Sequence, residues 1–364
     1  MRIGETHYRS IWMDNDPGVV KVIDQRILPF EFNILELRNA RDAYQAIAQM
    51  VVRGAPLIGA CAAFGLYLAA YTSRKENWCE EVQEAGALLI SARPTAVNLK
   101  YAVDLLMEKV ECAGSRESMI KELFHLAHRF AEDEVIRSRK IGEHGLGLIR
   151  EIYEKAGRPV NILTHCNAGW LACVDYGTAA APIYLAHDRG IPVHVWVDET
   201  RPRNQGARLT AYELGEHGVP HTVIVDNAGG LLMQQGKVDL VIVGSDRTTR
   251  SGDVANKIGT YLKALAAKDL GIPFYVALPS SSIDFKLAQG EEIEIENRED
   301  LEVSHMEGWD EEKQKATRFR ILPKGSKVIN PGFDITPARL VSGLITDKGI
   351  CDASEDGIAS LFGK

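Results

Sequence analysis

Three turns of one composition, Gly190-Ile191-Pro192, Gly218-Val219-Pro220 and Gly271-Ile272-Pro273, each separate a helical stretch from a short apolar run. Gly ends the helix and Pro prevents its continuation, so each turn marks a return to extended chain. Between them the chain alternates. Strands are expected at 160–164, 193–197, 221–225, 240–243 and 274–277. Helices are expected at 177–189, 205–217, 229–235 and 257–270. This rhythm constrains the second part of the chain to a doubly wound, Rossmann-like parallel sheet.

The first part has a different texture. Helical apolar spacing covers 37–52, 56–71, 96–110 and 118–148, and Tyr8 to Asp24 reads as a short β-hairpin around Asp14-Asn15-Asp16-Pro17-Gly18. The expected fold class is therefore α/β, with a mostly helical N-terminal domain over 1–155 and a Rossmann-like domain over 156–364. The acidic stretch 291–300 reads as a solvated loop or edge strand, and 337–345 as a last helix.

In such sheets, groups just beyond the carboxyl ends of the strands face the ligand crevice. Two residues stand there. Cys166 comes after the run Val160-Asn161-Ile162-Leu163-Thr164, and Asp246 after Leu240-Val241-Ile242-Val243-Gly244-Ser245. From the residues alone, Cys166 is equally a reactive thiol or a small buried hydrophobe. Asp246 is an acid at a buried strand mouth, where the alternatives are a reacting group and an N-cap. His165 is a base or a holder of the turn. Arg201 and Arg203 are ligand clamps or solvated loop charges. Gln205, at a helix start, is placed to hydrogen-bond a sugar hydroxyl. Cys61 and Cys173 lie in apolar stretches and read as core.

A second theme is anion binding. Arg53-Gly54-Ala55-Pro56 leads directly into an apolar helix, where the free amides of Gly54 and Ala55 beside Arg53 form an anion site. Arg93-Pro94-Thr95 repeats the arrangement, and Asn256-Lys257-Ile258-Gly259 opens a third. Three such openings favour a phosphorylated small molecule.

Other classes are disfavoured. The net charge of -8 among 364 residues argues against nucleic acid or an anionic membrane as partner. The apolar run 57–71 is shorter than the ~20 residues of a membrane span and reads as a buried helix. The N-terminus has no apolar signal core. No G-x-G-x-x-G comes after a strand, and Gly230 to Lys237 is one residue too long for a P-loop. The six cysteines form no C-x-x-C pair, and no ligand cluster suggests a metal. A reducing cytoplasm suits this usage.

The sequence resembles the methylthioribose-1-phosphate isomerases of methionine salvage. Their superfamily includes ribose-1,5-bisphosphate isomerases and regulatory subunits of a translation-initiation exchange factor. The resemblance runs over nearly the whole chain. It rests on Arg53-Gly54-Ala55-Pro56, Arg93-Pro94-Thr95, the segments 164–169 and 198–208, Gly244-Ser245-Asp246-Arg247, and 252–260. It implies an aldose–ketose isomerase with Cys166 and Asp246 as the catalytic pair. Arg53, Gly54, Ala55, Arg93, Gln205, Asn256 and Lys257 match its substrate-binding positions. It further implies no metal or organic cofactor and a homodimer. The exchange-factor subunits generally lack the Cys/Asp pair. Ser245, where Ala is usual, and Trp170, where a small residue is typical, depart from the pattern. They bear on carbon 5 of the sugar, where 5-deoxyribose 1-phosphate and ribose 1,5-bisphosphate are the competing substrates. Trp170 is a candidate wall of that pocket.

Overall fold

The computed structural model describes residues 1–74, 76–93, 96–110 and 115–363. The expected hairpin gains a third member. Strands Ile11–Met13, Val20–Ile23 and Ile34–Leu37 form one antiparallel sheet. Behind it stand helices Ala40–Ala48, Ala55–Thr72, Trp78–Ser91, Val97–Met107 and Arg116–Ala156. Trp78–Ser91 lacks a clear signature in the sequence, and its Cys79 is disulfide-bonded, a departure from the reduced thiols expected.

Ala55–Thr72 is the axis of this half. By length and composition it is apolar enough to cross a membrane, but it is the core helix of the protein's own bundle. Its small residues let neighbours approach: a Cβ on Gly65 would lie 2.9 Å from the Ala43 Cβ. An apolar helix with no polar face has to be enclosed by other elements. The other four helices pack against it or against one another around the shared cluster that holds Leu57, Leu66 and Phe64.

The second half is a seven-stranded sheet. From one edge it runs Ile350–Cys351, Gly343–Ile345, Phe274–Ala277, Leu240–Val243, Val160–Thr164, Val193–Asp198 and His221–Ile224. All neighbours are parallel except the first pair. The chain enters at Val160–Thr164, builds outward to His221–Ile224, then returns to build the other side from Leu240–Val243. The switch point therefore lies between the strands that precede Cys166 and Asp246, which is where an open α/β sheet opens its ligand crevice. The long helix Arg116–Ala156 packs on both Ala55–Thr72 and Ala181–Asp188 and joins the two halves.

Some expected elements differ. The helix expected at 337–345 is a single 3-10 turn, Ala338–Leu340, with the strand Gly343–Ile345 after it. Gly343 packs where a Cβ would lie 2.9 Å from the Tyr275 ring, and Leu344 and Ile345 are fully buried in the sheet. The helix expected from Lys257 begins at Thr260. Val254–Lys257 is instead a strand paired antiparallel with Phe333–Thr336. The helix expected from Gln205 opens with a π turn, Gly206–Thr210, before Ala211–His217. The acidic stretch is largely an exposed loop, as expected, but within it Glu296 is drawn down onto Arg93 and Arg298.

Removing packed volume from the axis should cost stability without touching chemistry. Leu66→Ala should lose about 2–5 kcal/mol, read as a lowered unfolding midpoint, while the folded fraction keeps its KM.

Candidate active site

The Val160–Thr164 strand ends in a forced turn. Cys166 has φ of 64°, a left-handed conformation rare outside glycine, and the surrounding bonds impose it. Its N–H donates to Thr200 Oγ1 at 2.8 Å, and its carbonyl accepts from Thr210 Oγ1 at 2.7 Å. Thr200 is itself left-handed, and its N–H donates to Asp226 Oδ1 at 2.7 Å. The thiol thus sits on a braced turn, as a reactive group that must hold position requires.

His165 completes the brace. Its Nδ1 lies 2.9 Å from Asp198 Oδ2 and its Nε2 2.8 Å from the Ile258 carbonyl. A carbonyl can only accept, and both ring nitrogens are engaged, so His165 holds the turn and is not free to act as a base. It ties the Cys166 loop to the segment that carries Asn256 and Lys257. Asp198 is also met by Lys263 Nζ at 3.2 Å. His165, Asp198 and Asp226 cluster closely enough to suggest a metal. Asp198 already meets Lys263 Nζ and His165 Nδ1, so a metal would have to displace these contacts.

All nine sequence-derived candidates line one cavity above this turn: Arg53, Gly54, Ala55, Arg93, Cys166, Gln205, Asp246, Asn256 and Lys257. The Arg93 opening is described only in part, because Pro94 and Thr95 lie outside the described residues. Arg53 is buried and donates through Nη1 to Asn167 Oδ1 and through Nη2 to the Asn167 carbonyl, both at 2.6 Å. Gly54 caps the Ala55–Thr72 helix at φ 95° with no side-chain cap. A Cβ there would lie 2.3 Å from the Ala172 carbonyl oxygen. The helix amides and Arg53 therefore face the same space, the arrangement that binds an anion.

The remaining cavity groups are arranged by partners outside it. Lys257 Nζ donates to the Gly332 carbonyl at 2.9 Å and lies 4.4 Å from the centre of the Phe333 ring. Asn256 donates to Thr260 Oγ1 at 2.9 Å. Gln205 Oε1 is buried without a protein partner, an acceptor left for a ligand hydroxyl. Arg93 donates to Glu296 Oε2 at 3.0 Å.

Burial is the leading influence on the titration of Asp246, Cys166 and Lys257. It pushes the Asp246 carboxyl above its usual range against the pull of Lys257, Arg93 and Arg53. It pushes the Cys166 thiol up against the pull of Arg53 and Lys257. It pushes Lys257 down, opposed by Cys166 and Asp246. Burial thus shifts both the acid and the thiol toward their neutral forms. Cys173 also lines the cavity, and burial pushes its thiol well up.

Several other readings are corrected or extended. Trp170 is fully buried in the core beneath the sheet and forms no wall of the cavity. Arg201 donates to the carbonyls of Pro202 and Val303, and Arg203 to Glu302, so both clamp a neighbouring segment. Arg298, Met50, Pro279 and Phe333 also line the cavity, though sequence reasoning missed them. Arg298 carries no local signal, since it lies within an acidic stretch.

Comparison with known proteins agrees with this geometry. The Initiation factor 2 subunit family matches residues 51–353. A methylthioribose-1-phosphate isomerase of Desulfatibacillum aliphaticivorans is 55% identical, covering 100% of this chain and 99% of that protein. The chain belongs to the methylthioribose-1-phosphate isomerase family. The crystal structure of 5-methylthioribose 1-phosphate isomerase from Pyrococcus horikoshii OT3 superposes with a TM-score of 0.85 at 38% identity. It covers 98% of this chain and 96% of that one. A structure described as the delta subunit of translation initiation factor eIF-2B from A. fulgidus gives 0.81 at 37% identity, covering 98% and 100%.

The close approach of the Ala55–Thr72 helix start to Ala172 depends on Gly54. Gly54→Ala should lower kcat/KM by about 10²-fold, the scale of an ångström-level displacement of a positioning group. Steady-state kinetics should place most of the loss in KM.

Proposed function

We infer that the chain converts 5-methylthioribose 1-phosphate to 5-methylthioribulose 1-phosphate, with Asp246 and Cys166 as the reacting side chains. The observation that carries this reading is the convergence of an acid whose carboxyl burial pushes above its usual range, a thiol and an anion-binding arrangement in one cavity at the sheet's switch point. The full-length likeness to isomerases supports it. The related exchange-factor subunits offer a second, regulatory reading, but that reading leaves the Cys166 and Asp246 pair without a use.

The phosphate on the anomeric oxygen blocks ordinary ring opening, so an acid has to act on the ring oxygen. Asp246, held neutral by burial, donates its proton there, and the bond from carbon 1 to the ring oxygen breaks. Carbon 1 becomes an oxocarbenium stabilised by its phosphate-bearing oxygen. A hydride then moves from carbon 2 to carbon 1, carbon 2 becomes the ketone, and its hydroxyl proton returns to the Asp246 carboxylate. No net proton is gained or lost.

A thiol raised by burial is a costly source of thiolate, which favours this route over proton abstraction by Cys166. On this reading Cys166 shields the cationic carbon. Arg53, Arg93, Lys257 and the Gly54 and Ala55 amides hold the phosphate, while Gln205 and Asn256 take sugar hydroxyls. The chain's own groups suffice for every step, without a metal or organic cofactor. The reading includes a homodimer, as in the family the sequence resembles.

Carbon 5 decides the choice of substrate. Met50, Pro279 and Phe333 offer an apolar lining suited to a methylthio group. Arg298, the additional cation, is already committed to Glu296 and Glu302 at 2.8 Å each. A second phosphate would have to break those pairs or enter an apolar wall unpartnered.

Asp246→Asn should retain fold and phosphate affinity but lose about 10²–10⁴ in kcat, the range for general acid groups. In the parent, kcat should fall as pH rises through the raised pKa of Asp246, because the acid form is the active one. Cys166→Ser should be nearly inactive, and undiminished turnover by Cys166→Ala would return the thiol to packing. Replacing methylthio by hydrogen should cost about 1–3 kcal/mol in kcat/KM, and ribose 1,5-bisphosphate should be poorer still. A substrate panel under one condition measures the order, and a preference for the bisphosphate would overturn the assignment of carbon 5.

A further inference from the structure

Glu213 lies on the Ala211–His217 helix, fully buried behind the floor of the cavity. Its Oε1 accepts from the Leu171 N–H at 2.6 Å, and its Oε2 from the Tyr184 hydroxyl at 2.9 Å. The Asn167 side chain also donates to it. A Cβ on Gly169 would lie 1.5 Å from Oε2, so the loop above is shaped closely around this carboxylate.

The loop it grips is the one on which the phosphate groups rest. Asn167 Nδ2 faces two acceptors, Glu213 and, at 3.2 Å, Thr210 Oγ1. Thr210 uses its own proton on the Cys166 carbonyl, so it accepts from Asn167. The amide is thereby oriented with Oδ1 toward Arg53, whose guanidinium it receives. The Leu171 contact seats the next residue, Ala172, directly against Gly54. One buried acid thus supports both halves of the anion site from behind.

We propose that Glu213 is a positioning residue for phosphate recognition, and that its ionised carboxylate fixes Asn167, and through it Arg53, in the binding arrangement. This rests on the reading of Arg53 as a phosphate-holding group. The groups facing Glu213 are Arg53 and Asn167 from the cavity side, Tyr184 from the neighbouring helix, the Met1 ammonium with Asp175, and the thiol of Cys173.

Burial raises the carboxyl to about 7, against the hydrogen bonds from Leu171, Asn167 and Tyr184 and the charge of Arg53. Two trends of opposite sign result. Above this pKa the carboxylate is ionised and accepts from Asn167, so substrate affinity improves as pH rises. The stability this group contributes is present in acid and is lost as pH rises through about 7, because the folded state holds the proton more tightly than the unfolded one.

The test is KM and the unfolding midpoint as functions of pH on either side of about 7, for the parent and three variants. In the parent, KM for methylthioribose 1-phosphate should fall across this window. Glu213→Gln is isosteric and uncharged. It should raise KM about tenfold at alkaline pH, the scale of one lost hydrogen bond to a charged group. It should change kcat little and flatten both pH trends. Tyr184→Phe removes a donor that favours the carboxylate and should move the KM inflection to higher pH. If Glu213→Gln lowers the midpoint but keeps the parental pH dependence of KM, the residue is structural and the proposal fails. If Glu213→Gln does not fold, an unmoved inflection in Tyr184→Phe overturns it equally. Arg53→Ala separates the two levels. Loss of phosphate affinity there with no effect in Glu213→Gln rejects only the role of Glu213. Unchanged affinity in Arg53→Ala rejects the reading of Arg53 as well.

Discussion

The contact on which the site depends is the clamp between Arg53 and Asn167. Arg53 is delivered by the helical half, at the turn before the core helix, and Asn167 by the sheet half, just after the catalytic turn. A buried guanidinium is costly unless its protons find acceptors. Here two short bonds to one residue supply them and leave the charge directed into the cavity. The same bonds set the distance between the Gly54 amides and the Cys166 loop. The proposed phosphate site and the Cys166 thiol are therefore aligned by this contact between the two halves.

Dryness does the rest. Desolvation is the leading influence on Asp246, Cys166 and Lys257; Arg53 and Lys257 temper it at the acid and the thiol, and Cys166 and Asp246 temper it at Lys257. An acid that must give a proton to a ring oxygen gains from being held neutral, and a cationic intermediate gains from the exclusion of water. His165 contributes by being unavailable: both of its nitrogens are spent on bracing the turn. Around the cavity Arg53, Lys257 and His165 are held by protein partners, while the Gln205 acceptor is left open.

Much of this was legible in the residues. Ile162-Leu163-Thr164 and Leu240-Val241-Ile242-Val243 are buried on both faces, so they read as continuous apolar runs, and residues just beyond such runs meet the crevice. That placed Cys166 and Asp246 before any contact was known. Arg53-Gly54-Ala55-Pro56 was legible because a helix start has a local signature. The misreadings were non-local. Val254–Lys257 is extended because it pairs with Arg247–Thr249 on one side and, along its whole length, with Phe333–Thr336 from a remote part of the chain. Gly343–Ile345 is too short to display a period and passes for helix. Arg298 lines the cavity while paired with Glu296 and Glu302, and nothing in the run 291–300 marks it as facing that cavity. Trp170 adjoins the catalytic turn in sequence, yet the 3-10 turn that carries it points it into the core.

The central claim is that a neutral acid opens the ring and hydrogen then moves directly between carbons inside a dry cavity. Methylthioribose 1-phosphate carrying deuterium at carbon 2 tests it most directly. Turnover in ordinary water, with the product read by NMR, should give the ketose with deuterium retained at carbon 1. Formation of ketose with the label lost to solvent would contradict the account, because it would require a base to remove the carbon 2 proton.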